Sequence, residues 1–261
     1  MTATATTTLH GFLFQVYPYV CFAVFLIGSL IRFDQNQYSW KSDSSQLLRA
    51  RLLRWGSNLF HLGILFLFFG HLVGLFTPHS VYGVFLSAAA KQVLAVTAGG
   101  IAGAVTFVGL TMLLYRRLAD HRIRHTSHPS DIAVLAVLWL QLVLGLATLP
   151  QSLRHADGSV MLVLADWAQR IVTLRPVDAT ALAALHWSFQ VHVVLGLTIF
   201  LLLPFSRLVH VWSGFAAALF LFRPYQVVRS RRLDVPPGHD LPGQPSAVPP
   251  LNVASALDRG P

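Results

Sequence analysis

Long apolar runs separated by short polar stretches set the first expectation. Five of them approach or exceed the ~18 apolar residues that span a bilayer. They are Phe12–Ile31, Leu53–Phe76, Val93–Tyr115, Ile132–Leu149 and Leu182–Leu203. None alternates apolar with polar at a period of two, as barrel strands do. In lipid only helices and closed barrels satisfy their own backbones. The pattern therefore predicts an all-α fold, an integral membrane bundle of five transmembrane helices. Between the fourth and fifth runs, MLVLADWAQRIVTL mixes apolar and polar positions and reads as a short helix lying in the membrane interface. After Leu233 the chain reads DVPPGHDLPGQPSAVPPLNVASALDRGP, whose proline and glycine predict a disordered tail. Residues 1–232 are thus expected to form the membrane domain and 233–261 the tail. No repeat that would divide a transporter into two halves is visible.

Charge adds an orientation. Only 11% of the residues are charged, against about 25% in a soluble domain. The net charge of +9 would suit nucleic acid, but the positive residues are sorted by loop. Arg32, Lys41, Arg49, Arg51 and Arg54 follow the first span. Arg116, Arg117, Arg122 and Arg124 follow the third, and Arg207, Arg223, Arg229, Arg231, Arg232 and Arg259 follow the fifth. The other side holds Lys91, Arg154, Arg170 and Arg175, so the division is fifteen against four. The positive-inside rule then predicts a periplasmic N-terminus and a cytoplasmic C-terminus, and makes the basicity topological. MTATATTTLHGF lacks the positive start and clear cleavage site of a signal peptide, so the first helix is expected to stay. The single cysteine, Cys21, excludes a CxxCH haem attachment, a four-cysteine iron–sulfur site and an internal disulfide.

The histidines carry the candidate chemistry. His10, His79, His121, His125, His128, His155 and His239 fall in loops or ends, where imidazole is simply solvated. FHLGILFLFFGHLVGLF, however, holds His61 and His71 inside the second span, and His192 and His210 belong to the fifth. Polar side chains at such depth need a partner. The two helices run in opposite directions, which matches His61 with His210 on the inner side and His71 with His192 on the outer. At 1.5 Å per residue the separations along each helix are about 15 Å and about 27 Å, so tilt and a kink at Pro204 must absorb the difference. If the fifth helix continues to about Trp212, its eighteen-residue spacing is five turns and puts both histidines on one face. Two sites with two imidazoles each suit six-coordinate b-type haem, whose porphyrin supplies the other four nitrogens. Zinc would require three or four protein ligands. Gly63, Gly70, Gly74 and Gly196 either clear a slot for a flat cofactor or serve close helix packing, as GxxxG does. His186 is an alternative outer ligand, but it lies on a face rotated by about 120° from His192 and is expected at the interface.

Several stretches resemble one family in order along the chain. They are YPYVCFAVFLIGSLIRFDQNQYSWKSDSSQ, SNLFHLGILFLFFGHLVGLFTPH, KQVLAVTAGG and HVVLGLTIFLLLPFSRLVHVWS. Together they cover about Phe14–Arg229 and are similar to the gamma subunit of bacterial membrane-bound respiratory nitrate reductase, a diheme cytochrome b. The resemblance implies a multi-pass protein of the bacterial inner membrane with two haem b groups, ligated by His61 with His210 and by His71 with His192. It implies quinol oxidation near the outer haem and electron transfer inward to an iron–sulfur (beta) subunit. Nitrate would be reduced in anaerobic respiration at the molybdenum site of an alpha subunit, also on the cytoplasmic face. Membrane lipid and the quinol pool complete the implied partners, with no nucleic acid. Lys91, the only lysine on the outer side, could donate to a quinone oxygen or anchor the helix at the interface. The resemblance favours the first role. Arg117 and Arg207 are candidate partners for haem propionates, as is Arg54, although each also serves as a positive-inside anchor. Other readings stay open: a diheme cytochrome b of another quinone-linked oxidoreductase, a transporter with a histidine proton relay, or a passive anchor.

Overall fold

The computed structural model describes residues 8–35, 48 and 50–211. Among them every regular element is helical, and five helices are long and apolar enough to cross a membrane. These are α1 (Thr8–Gln35), α2 (Ala50–Phe76), α3 (Ala88–Ala119), α4 (Pro129–Arg154) and, after the amphipathic α5 (Ser159–Val172), the span Trp187–Phe205, made of α6 (Trp187–Leu202) and the 3₁₀ turn that continues it. The first four run beyond their apolar stretches because polar residues still close helix ends outside the lipid. Ser87 Oγ accepts from the Ala90 amide at 3.2 Å to start α3, and Pro129 occupies the first turn of α4. The expected tail lies outside the described residues, as does Trp212.

The fifth span differs from expectation at both ends. The residues from Leu182 do not open it. Ala179–Ala183 is a separate short helix, and His186 caps the start of α6, its Nδ1 accepting from the Ser188 amide at 3.3 Å and the Ser188 hydroxyl at 2.9 Å. That cap satisfies an end amide that would otherwise lack a partner. At the other end α6 stops at Leu202, and two single 3₁₀ turns, Leu203–Phe205 and Arg207–Val209, follow. Ser206 between them is extended (φ −121°, ψ 175°). His192 and His210 therefore do not share one face of a continuous helix.

Small residues decide which helices touch. Apolar lipid gives no hydrophobic drive for helices to associate, so close backbone approach and dispersion must hold them. A Cβ at Gly109 on α3 would lie 2.8 Å from the Gly56 carbonyl and 2.9 Å from Leu59 C on α2. Gly63 of α2 sits against Thr106 and Ala102 of α3. Gly103 continues the seam, since its Cβ would lie 2.7 Å from Leu146 Cδ2 of α4. Extensive packing then runs α2 to α3, α3 to α4, α4 to α6 and α6 to α1, leaving α2 and α6 without a close backbone seam. α5 closes the end opposite the arginines. Its Val160, Ala165, Ala168 and Ile171 are buried. Trp167 Nε1 donates to Phe14 O at 2.9 Å in the π-helical turn Phe12–Val16 of α1, and Gln169 Nε2 donates to Leu75 O at 2.9 Å near the end of α2.

Candidate functional site

α2 and α6 lack a close seam, yet the histidines of α2 meet His192 of α6 and His210 of the turn beyond it. The His61 and His210 rings have centroids 6.4 Å apart and planes 67° apart. His71 and His192 are 6.2 Å and 41° apart. A metal–imidazole bond of about 2 Å, with roughly 1.2 Å more from ring nitrogen to ring centre, puts two rings on opposite sides of one ion at ~6.4 Å. Both pairs match that span. Ring orientation agrees as well, because all four Nδ1 atoms donate to a backbone carbonyl. The acceptors are Ser57 O for His61 (2.7 Å), Leu67 O for His71 (2.7 Å), Gln141 O for His192 (3.1 Å) and Arg207 O for His210 (2.7 Å). A carbonyl only accepts, so each Nδ1 carries a hydrogen, which leaves Nε2 as the nitrogen that would bind a metal. That is the arrangement by which metal-ligating histidines are oriented.

The surroundings fit a flat ligand that brings its own equatorial donors. Among the described residues no cluster of three or more His, Cys, Asp or Glu comes together as for a bare metal ion. The two imidazoles of each pair would thus be axial ligands only, which fits haem b and not zinc. Gly70 and Gly74 have nothing within 4 Å of where a Cβ would stand. Gly63 belongs to the α2–α3 seam instead, whereas Gly70 and Gly74 border open space. Gly196 faces Gln141 Nε2 at 3.1 Å, and Gly145 gives way to the His192 ring, which a Cβ there would meet at 2.9 Å. Gln141 Nε2 donates to His192 O at 3.1 Å, while its buried Oε1 has no hydrogen-bond partner.

The broken end of the fifth span brings His210 to His61. Breaking a helix frees carbonyls that must find donors. Arg32 of α1 supplies them: its Nη1 donates to Pro204 O at 2.6 Å and Ser206 O at 2.8 Å. Gly28, one turn earlier, leaves room for the Pro204 ring, which a Cβ would meet at 3.0 Å. Ser206 Oγ accepts from the Leu208 amide at 3.2 Å and so starts the turn that carries His210. Arg32 and Gly28 carry no local sequence signal for this role.

Arg117 and Arg207 converge at the same end. Asp131, buried in the first turn of α4, pairs through Oδ2 with Arg207 Nη1 at 3.0 Å and Arg117 Nη1 at 3.6 Å. Arg117 Nη1 also donates to Ser127 Oγ at 2.8 Å. Two guanidinium groups thus share one carboxylate oxygen. Arg54 stands apart as an exposed residue of α2. Asp131 was not among the sequence candidates, because a lone aspartate after a proline reads as an ordinary helix start.

Lys91 is buried at the opposite end, with its Nζ donating to Gly74 O at 3.0 Å and lying 3.6 Å from the centre of the Tyr82 ring. Gly74 is three residues beyond His71, about 4.5 Å along the helix. The ammonium is thus held one turn from the outer pair and does not snorkel to the surface. His79 packs edge-on against Tyr82, with ring centres 5.0 Å apart. Tyr82 was missed in sequence because an aromatic in a short loop reads as an interfacial anchor.

Comparison with known proteins adds to this geometry. The sequence profile of the nitrate reductase gamma subunit matches residues 10–231. The respiratory nitrate reductase 2 gamma chain of Escherichia coli (strain K12) is 50% identical over 224 residues, covering 86% of this chain and 98% of that one. The respiratory nitrate reductase 1 gamma chain of the same organism is 46% identical over 223 residues, covering 85% and 98%. The nitrate reductase gamma chain of Bacillus subtilis (strain 168) is 36% identical over 220 residues, covering 84% and 97%.

Proposed function

The chain belongs to the nitrate reductase gamma subunit family, the membrane subunit of respiratory nitrate reductase, and from that premise we propose that it is the quinol-oxidising diheme cytochrome b of its complex. The observation that carries the proposal is the spacing and common orientation of the two histidine pairs, 6.4 Å and 6.2 Å between ring centres. His61 and His210 hold one haem b, and His71 and His192 hold the other. When bound, the haems supply one-electron redox chemistry at two depths of the membrane. The arginine-rich end faces the cytoplasm by the positive-inside rule, which places the His71/His192 pair toward the periplasm of the bacterial inner membrane. The chain meets the iron–sulfur and molybdenum subunits at its cytoplasmic end, and nitrate is reduced on the latter.

The residues at each end do different work. Lys91 presents its ammonium to an oxygen of the quinol and stabilises the charge that develops as the hydroxyl proton leaves. The Gly74 carbonyl and the Tyr82 ring hold that ammonium beside His71. At the cytoplasmic end Arg117 and Arg207, held together by Asp131, would offer guanidinium donors to a carboxylate of the inner cofactor. Drawing an electron inward against the membrane potential costs about 2.3 kcal/mol per 100 mV, which the redox drop from quinol to nitrate offsets. Two carriers divide that crossing.

A reduced-minus-oxidised spectrum of the purified protein tests the proposal. Two b-type haems per chain are expected, and a protein without haem bands, or with one haem, would sink it. Lys91→Ala isolates the quinol role. Hydrogen bonds to charged groups contribute about 1.5–3 kcal/mol, so quinol oxidation should fall about 10- to 100-fold. Haem content should stay at two. An undiminished rate would remove Lys91 from the site.

A further inference from the structure

The inner histidine stands on a turn and not on a long helix, so something else must fix it. Its Nδ1 donates to Arg207 O at 2.7 Å, three residues back. The Arg207 side chain in turn reaches Asp131 Oδ2 at 3.0 Å, seventy-six residues earlier in the chain. Asp131 is fixed by its place in the first turn of α4, where the helix dipole also favours a negative charge. Arg117, from the last turn of α3, approaches the same oxygen at 3.6 Å. The path Asp131–Arg207–His210 therefore ties the ligand-bearing turn to two spanning helices. Both side chains of the Arg207–Asp131 pair are less than one-fifth exposed, so water weakens it little.

We propose that Asp131 is a positioning residue for the inner haem, holding His210 through Arg207 and setting the reduction potential of that haem alone. This rests on the diheme reading above. The outer pair is tied to no carboxylate–guanidinium pair among the described residues: its nearby charge is Lys91, held by Gly74 O, and His192 is held by the Gln141 backbone and amide. Removing the Asp131 charge leaves the two arginines less compensated, and uncompensated positive charge favours the reduced haem. A unit charge at ~10 Å in an effective dielectric of about 20 shifts a one-electron equilibrium about tenfold, or about 59 mV.

The test is a redox titration of the membrane-embedded complex, followed in the haem absorption bands. The inner component is first identified as the one lost in His210→Ala. Absence of two components in the unsubstituted protein would count against the diheme reading and not against Asp131. Given two components, Asp131→Asn should raise the inner reduction equilibrium about tenfold, or lower inner haem occupancy, with the outer component unmoved. Asp131→Glu should return the inner component toward its original position. An unchanged inner component in Asp131→Asn overturns the proposal. So does a parallel loss or shift of both haems, because Asp131 would then support the bundle as a whole.

Discussion

His71→Ala and His192→Ala are expected to remove the same haem b component, and His61→Ala and His210→Ala the other. Each single substitution should lower the haem-to-protein ratio from two to one. Quinol-driven nitrate reduction should be lost in all four. The reason is geometric. Each pair has its ring centres 6.4 Å or 6.2 Å apart, the span two imidazoles would need to hold one haem iron, and the methyl group of alanine cannot reach. The partner histidine stays oriented by its own carbonyl, so the remaining site should survive. His186→Ala should leave both haems in place, because its Nδ1 is engaged in capping α6. Measured as pyridine haemochrome per chain, loss of a haem in His186→Ala with retention in His192→Ala would overturn the outer assignment.

Gly109→Leu is the second large effect, and it acts through backbone and not through a ligand side chain. A Cβ at this position would meet the backbone of α2 at Phe60 N, at Gly56 O (2.8 Å) and at Leu59 C (2.9 Å). Backbone cannot turn aside as a flexible side chain can, so α2 and α3 must separate. Overpacking costs about 1–3 kcal/mol where side chains can shift, and this obstacle places the cost at the upper end or beyond. Phe60 is next to His61, whereas His71 lies about 15 Å further along α2. The inner haem should therefore be lost before the outer one as the purified protein is heated, with the whole transition displaced to lower temperature. Gly99→Ala is the control. It lies on the same helix with nothing within 4 Å of its Cβ position, and alanine there should be neutral or stabilise by about 1 kcal/mol. Equal stability of Gly109→Leu and the parent chain would remove the glycine seam as the reason for the α2–α3 contact.

Much of the candidate site could be read in the sequence because membrane topology is close to one-dimensional. Hydropathy gives the spans, their order gives alternating direction, and direction alone matches His61 with His210 and His71 with His192. What topology could not supply was the reach. A ten-residue spacing on α2 faces an eighteen-residue spacing on the other chain segment, and a kink at Pro204 was the expected remedy. The structure holds a complete break there, followed by a restarted turn. Proline explains why the helix can stop, but not where the chain then goes.

Sequence by itself determined the helical membrane class, the five spans, the amphipathic α5 and the matching of histidines by depth. These follow from patterns local to each segment. Tertiary structure alone decided the end of α6, the capping role of His186, the sorting of Gly63 from Gly70 and Gly74, and the sharing of Asp131 by Arg117 and Arg207. Each of these depends on groups distant in the chain. Arg32 reaches the freed carbonyls of Pro204 across 172 residues, and Arg207 reaches Asp131 across 76. A broken helix persists only where such partners satisfy its open backbone and hold its charges, and hydropathy carries no information about which partners those are.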